Sequence, residues 1–143
     1  MLEALSTPHS RAVTLGFLVV CGFSAIASGV VGISDNPPGI LLALFAGAAF
    51  VLAFVHGWRT ARPFRSLFFG SVLGLVFFGI LHNVLGGVAG TWAKTGAVRG
   101  AVEGLSVAAF FIAVLGFPPT FLVGGVGWVA MSFRNRRRSG QAV

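Results

Sequence analysis

Two histidines, His56 and His82, are the side chains of this 143-residue sequence with the most chemistry to offer inside apolar stretches. An ionisable group within a membrane span is costly unless it is paired, so such a group is a candidate functional residue. One imidazole on each of two neighbouring helices is a common way to hold a haem in a helical bundle. The pair therefore raises the hypothesis of a haem or pigment site.

The depths of the two histidines argue against a shared metal. His56 lies within a turn of the end of one apolar run, whereas His82 lies about 15 residues, or roughly 22 Å, beyond the start of the next. Two versions of the site remain: each histidine pairs with its own copy across a symmetric interface, or His82 faces a ligand held by another subunit. The alternative is that His56 reaches the interface near Trp58, while His82 and Asn83 hydrogen-bond to neighbouring helices. We predict no metal site.

Catalysis has little support in the sequence. No Ser/His/Asp or Cys/His arrangement, phosphate-cradling loop or pair of carboxylates within one apolar run is found, so we predict that the protein is not an enzyme. Cys21 is the single cysteine, which excludes an intramolecular disulfide and a cysteine-based metal cluster. Proton-coupled transport requires an embedded carboxylate, and no acidic residue lies deep in an apolar run.

A small channel or transporter formed by several copies is the alternative function. Ser71, Asn83 and the proline-broken fourth apolar run would line its path.

The composition indicates that the bilayer is the solvent of this chain. Hydrophobic residues make up 56% and charged residues 9%, far from the charged quarter or so of soluble domains. The net charge of +7 comes from cations that, apart from Arg11 directly before the first apolar run, lie between the apolar runs or after the last one. That placement is typical of charges that set membrane topology, so nucleic acid is not a predicted partner. The sequence predicts a single membrane domain over residues 1–143.

Four apolar runs predict an all-α, integral membrane four-helix bundle with spans at about 13–33, 39–58, 67–90 and 105–133. The stretch 34–39 forms a turn, and 59–66 forms a charged loop. Residues 91–104 form the third connection, although glycines at every fourth position indicate a helix within it. Pro118 and Pro119 interrupt the fourth run, so we predict a bent helix there, with two half-helices meeting at the prolines as the alternative.

Cations beside the runs predict the orientation in the cell or inner membrane. The 59–66 loop contains three arginines and the basic tail 134–143 contains four, whereas 34–39 contains none and 91–104 contains two cations. By the positive-inside rule, both termini face the cytoplasm. The tail is also a candidate for binding anionic lipid headgroups through Arg134, Arg136, Arg137 and Arg138.

Glycines at four-residue spacing give the sequence its clearest functional signal. Small residues at this spacing let helix backbones approach closely, which drives helix association in lipid. The candidate helix-packing glycines are Gly70, Gly74, Gly86, Gly90, Gly96, Gly100 and Gly104. We therefore predict a small membrane protein that acts through helix packing, either as a homo-oligomer or as an accessory subunit of a larger membrane complex.

Overall fold

A computed structural model describes residues 7–33, 36–91 and 96–140, and no strand occurs among them. The elements are α1 (Pro8–Val31), α2 (Pro37–Val55), α3 (Ala61–Thr91), α4 (Gly96–Phe111), a π-helical segment (Ile112–Gly116) and α5 (Phe117–Gly140). Four helical stretches are long and apolar enough to cross a membrane: α1, α2, α3 and the continuous run Gly96–Arg137, which we call the fourth span. The predicted all-α class and the number of spans are confirmed.

The first helix begins earlier than the predicted span because of its capping residues. Thr7 is the N-cap, and its hydroxyl accepts a hydrogen bond from the Ser10 amide at 3.1 Å. Pro8 occupies the first turn, where its missing N–H has no helical partner to lose. At the other end Gly32 adopts a φ of +89°, which only glycine reaches without strain, and its amide donates to the Ser28 carbonyl.

The predicted loop at 59–66 is wrong over most of its length, because α3 begins within it at Ala61. Pro63 lies in the first turn of α3, where a proline does not interrupt the helical hydrogen bonds. Phe64 is buried, and its ring lies 5.1 Å from the ring of Trp58. This aromatic contact fixes the turn between α2 and α3. The arginines at 62 and 65 therefore project from the first two turns of a helix.

The fourth span begins at Gly96, so a helix occupies much of the predicted 91–104 connection, as its glycine spacing indicated. Pro118 and Pro119 carry no amide hydrogen, which leaves the carbonyls of Val114 and Leu115 without their usual helical donors. Both carbonyls lie in the π-helical segment, whose wider turn is a common response to an interrupted ladder. The helix geometry thus changes over 112–116, one turn before the prolines.

The helices pack in an open row. In the described part of the chain α1 packs on α2 alone, and α2 also packs on α5 and the π-helical segment. The third helix packs along the fourth span, against α4 and α5. The spatial order is therefore α1, α2, fourth span, α3. Small residues line the helix contacts, and the buried alanines are Ala46, Ala49, Ala53, Ala89, Ala109 and Ala113.

Glycines on α2 and α5 permit close approaches between helices. A methyl group added at Gly124 would lie 2.8 Å from the Phe68 amide nitrogen, which is main chain and cannot turn aside. One added at Gly47 would lie 2.7 Å from the ring of Pro119. These contacts join α5 to α3 and to α2. Neither glycine was among the predicted packing positions.

Candidate functional site

Buried hydroxyl groups connect α1 to α2 at two levels. The Thr14 hydroxyl donates to the Ala53 carbonyl at 3.1 Å, and the Ser28 hydroxyl donates to the Gly39 carbonyl at 2.9 Å. The two bonds lie about 21 Å apart along the antiparallel pair. In a bilayer such bonds satisfy polar groups that the hydrocarbon cannot. They therefore hold α1 and α2 together near both ends of the helix pair.

His56, directly after α2, has both ring nitrogens in use. Its Nδ1 lies 3.1 Å from the Ala53 carbonyl oxygen. Because a carbonyl only accepts, this nitrogen must carry the proton. The other nitrogen, Nε2, then accepts from the Ser10 hydroxyl at 3.3 Å. His56 thus fastens the end of α2 to the start of α1, and this leaves no lone pair for a metal or haem.

His82 has a different arrangement. Its Nδ1 lies 2.9 Å from the Ser106 carbonyl oxygen, and the Ser106 hydroxyl donates back to the His82 carbonyl at 3.0 Å. By the same reasoning Nδ1 carries the proton, so Nε2 of the neutral ring holds a lone pair. Nε2 forms no hydrogen bond with another described residue and is not buried. The ring of Phe110 lies 5.2 Å away. The α3–α4 contact therefore presents an accepting nitrogen at its surface.

Asn83 and the second histidine are not part of this contact. Asn83 donates to the Gly79 carbonyl of its own helix at 2.8 Å and is exposed, so the expectation that it bonds to a neighbouring helix is wrong. His82 lies about 31 Å along α3 from its first residue, whereas His56 lies close to that first residue in the chain. The structure does not bring the two histidines together. Among the described residues no group of three or more His, Cys, Asp or Glu side chains is placed to hold a metal.

Two of the seven candidate packing glycines meet a neighbour within the protomer. The ring of Phe117 covers Gly74, and a methyl group at Gly86 would lie 3.6 Å from the Ser106 hydroxyl. The other five have no described atom of the chain, outside their own helical turns, within 4 Å of an added methyl group. These open positions are Gly70, Gly90, Gly96, Gly100 and Gly104.

The candidate headgroup-binding arginines lie near the end of α5. Arg134, Arg136 and Arg137 are exposed, and Arg136 lines a shallow cavity beside Trp128. The side chain of Arg138 lies outside the described part of the chain. The ion pair between Arg99 and Glu103, at 2.8 Å, is on α4 and away from this cluster.

Ser106, which contacts His82, was not among the residues predicted from the sequence. The one available signal was a hydroxyl residue near the start of the fourth apolar run. Its pairing with His82 depends on the register between α3 and α4, which the sequence does not specify. No protein-family model, curated protein or solved structure matches the chain.

Proposed function

We propose that this multi-pass membrane protein acts by helix packing and self-associates through α4. The observation that carries the proposal is a free glycine face. Gly96, Gly100 and Gly104 lie one turn apart on a helix, all three are exposed, and no described atom outside the helix comes within reach of an added methyl group. Glycines in this spacing let a second helix backbone come close, which strengthens van der Waals contact in lipid.

The surroundings of the α4 glycine face favour the packing of another helix against it. Within the described residues α4 packs only against α3 and the adjoining π-helical segment, so its remaining sides are open. The exposed Arg99–Glu103 pair lies one residue before Gly100 and Gly104 and supplies polar groups at the rim of the face. Contacts of this kind combine a close glycine seam with polar side chains that hydrogen-bond across it. A copy of the same chain, oriented with both termini in the cytoplasm, is the partner we propose.

The test is to place a bulky residue on the face. We expect Gly100→Leu to weaken self-association about tenfold, or about 1.4 kcal/mol, because its side chain keeps the backbones apart. The association constant is measured by the dependence of fluorescence energy transfer on protein density in liposomes. Gly22→Leu is the matched control, since Gly22 is an exposed glycine of α1 with no neighbour within 4 Å of an added methyl group.

Equal effects of Gly100→Leu and Gly22→Leu would contradict the proposed face. A wild-type protein that remains monomeric at high density in liposomes would contradict self-association. Recovery of a second membrane protein in fixed stoichiometry from native detergent extracts would then assign α4 to an accessory role in a larger complex.

A second function, binding of a haem or related pigment, is favoured by one observation at His82. The hydrogen bond from Nδ1 to the Ser106 carbonyl fixes the tautomer and leaves Nε2 unprotonated, as in many histidines that ligate iron. In a symmetric oligomer each chain would supply one such nitrogen.

The channel alternative gains less support. Ser71 is buried and donates to the Phe68 carbonyl, and Asn83 donates to the Gly79 carbonyl, so both amide and hydroxyl donors are used within α3.

A further inference from the structure

A cavity of about 380 Å³ lies where the start of α1 meets the end of α2. We call it the α1–α2 end cavity, and its lining residues are Thr7, His9, Ser10, Val13, His56, Gly57 and Arg59. Its position follows from the antiparallel pairing of the two helices, because His56 and Ser10 hold the two chain segments together at its floor. The cavity is lined by both polar and apolar groups and opens outward.

Two basic side chains in this cavity have no partner among the described residues. Arg59 and His9 are exposed, and neither forms a hydrogen bond or ion pair with another described residue. The guanidinium of Arg59 is always charged and presents donors in a planar fork that matches phosphate oxygens. His56 and Thr7, in contrast, have their polar atoms occupied. The cavity therefore has hydrogen-bond donors of Arg59 and His9 at its opening, and its inner polar groups are already hydrogen-bonded.

The described charged side chains nearest this cavity in the chain are basic. The exposed Arg62 and Arg65 project from the first turns of α3 close by in the chain. The sole carboxylate in the described part of the protein, that of Glu103, lies on α4 and is paired with Arg99. The charge near Arg59 thus has no described protein counter-ion. An anion from outside the chain is the ligand that this arrangement fits.

The location identifies the class of anion. Trp58 lies beside Arg59 in sequence at the end of an apolar helix, and aromatic residues followed by cations mark the level of the lipid headgroups. A lipid whose phosphate sits in the cavity would extend its acyl chains along the apolar side of α1, past Val13. Leu15 and Val19 on α1 are 61% and 55% exposed, which gives such chains an apolar surface to follow.

We propose that the α1–α2 end cavity binds the phosphate group of an anionic phospholipid, with Arg59 as the principal donor and His9 as the second. This site is separate from the arginines of the tail. It is also independent of the glycine face of α4, so the two proposals can fail separately. A bound lipid would fasten the α1–α2 pair at the cytoplasmic headgroup level.

Native mass spectrometry of the full chain in mild detergent tests the site. Phosphatidylglycerol is titrated against wild type, Arg59→Gln, His9→Gln and the control Arg134→Gln, which removes one exposed arginine from the end of α5. We expect Arg59→Gln to weaken phosphatidylglycerol binding about tenfold, His9→Gln to weaken it less, and Arg134→Gln to leave it unchanged. Phosphatidylcholine, which has the phosphate but no net charge, is expected to bind more weakly than phosphatidylglycerol to wild type.

Thermal unfolding of each variant, followed by circular dichroism, verifies that lost binding is not lost folding. Competition with inorganic phosphate separates the two sources of the anion. If millimolar phosphate displaces the lipid, the cavity is a phosphate site whose ligand is a soluble phosphate and not a lipid headgroup. Equal binding of phosphatidylglycerol and phosphatidylcholine to wild type would contradict the proposed site. An equal loss of binding in Arg59→Gln and Arg134→Gln would also contradict it.

Discussion

At the scale of single residues, the two embedded histidines differ in the hydrogen bonding of one ring nitrogen, Nε2. Both have Nδ1 directed at a carbonyl, but the Nε2 of His56 accepts from Ser10, whereas the Nε2 of His82 has no partner among the described residues. The sequence indicated that each histidine needs a partner and that the two lie at different depths. It did not identify Ser106 or Ser10, because a partner across a helix contact depends on the rotation and register of both helices.

Haem titration of the purified protein distinguishes the two histidines. If His82 is an axial ligand, wild type develops a shifted Soret absorption band, His82→Leu loses it, and His56→Leu retains it. The reason is that an iron ligand requires an unprotonated, accessible nitrogen, which His82 has and His56 does not. The absence of a shifted band in wild type, or its retention in His82→Leu, would exclude His82 as a ligand.

At the scale of the helices, the contact between α3 and α5 uses one predicted glycine, Gly74, which the ring of Phe117 covers, together with glycines of α5 that were not predicted. Gly124 and Gly127 lie against Phe68 and Phe64. The sequence placed Phe64 in a loop, so its burial against α5 was not predictable from the span boundaries. The glycine pattern showed that close helix contacts exist. It did not show which glycines contact another helix of the same chain and which have no such contact. A periodic motif identifies a helix face but not the helix that packs against it.

The substitution Gly124→Ala tests this contact. The added methyl group would meet the main chain of Phe68, so we expect the free energy of unfolding to fall by about 1–3 kcal/mol, the usual cost of overpacking. Reversible unfolding in mixed micelles, followed by circular dichroism, gives this value.

Gly70→Ala is the matched control because its methyl group would meet no described atom outside its own helical turns. Its free energy of unfolding should stay the same or rise by up to about 1 kcal/mol, since alanine favours a helix over glycine. A loss of stability at Gly70 as large as that at Gly124 would show that the close approach is not the cause.

At the scale of the whole molecule, the sequence predicted the class and number of spans because both follow from apolar length, which the bilayer thickness fixes. The open row of helices was not predictable. Hydrophobicity does not distinguish a helix face that meets lipid from one that meets another helix. The pattern of apolar residues therefore does not predict which helices are neighbours. The cation count still predicts the orientation of the row.

Cysteine labelling tests that orientation. In a Cys21→Ala background, Thr60→Cys and Thr91→Cys place one thiol at each end of α3, and Ser139→Cys reports on the tail. We expect a membrane-impermeant maleimide to label Thr91→Cys in intact cells and to label the other two variants only after permeabilisation. Labelling of Thr60→Cys from outside would reverse the proposed topology.

In the described part of the chain α1 has one neighbouring helix, and this affects how the chain assembles. The first two helices form one hairpin, with its own hydroxyl bonds, and α3 with the fourth span forms another. Each hairpin joins segments that are adjacent in the chain, so each can form as soon as its second helix has entered the membrane. We expect the final step to be the docking of the two hairpins along one seam, where Gly47 meets Pro119.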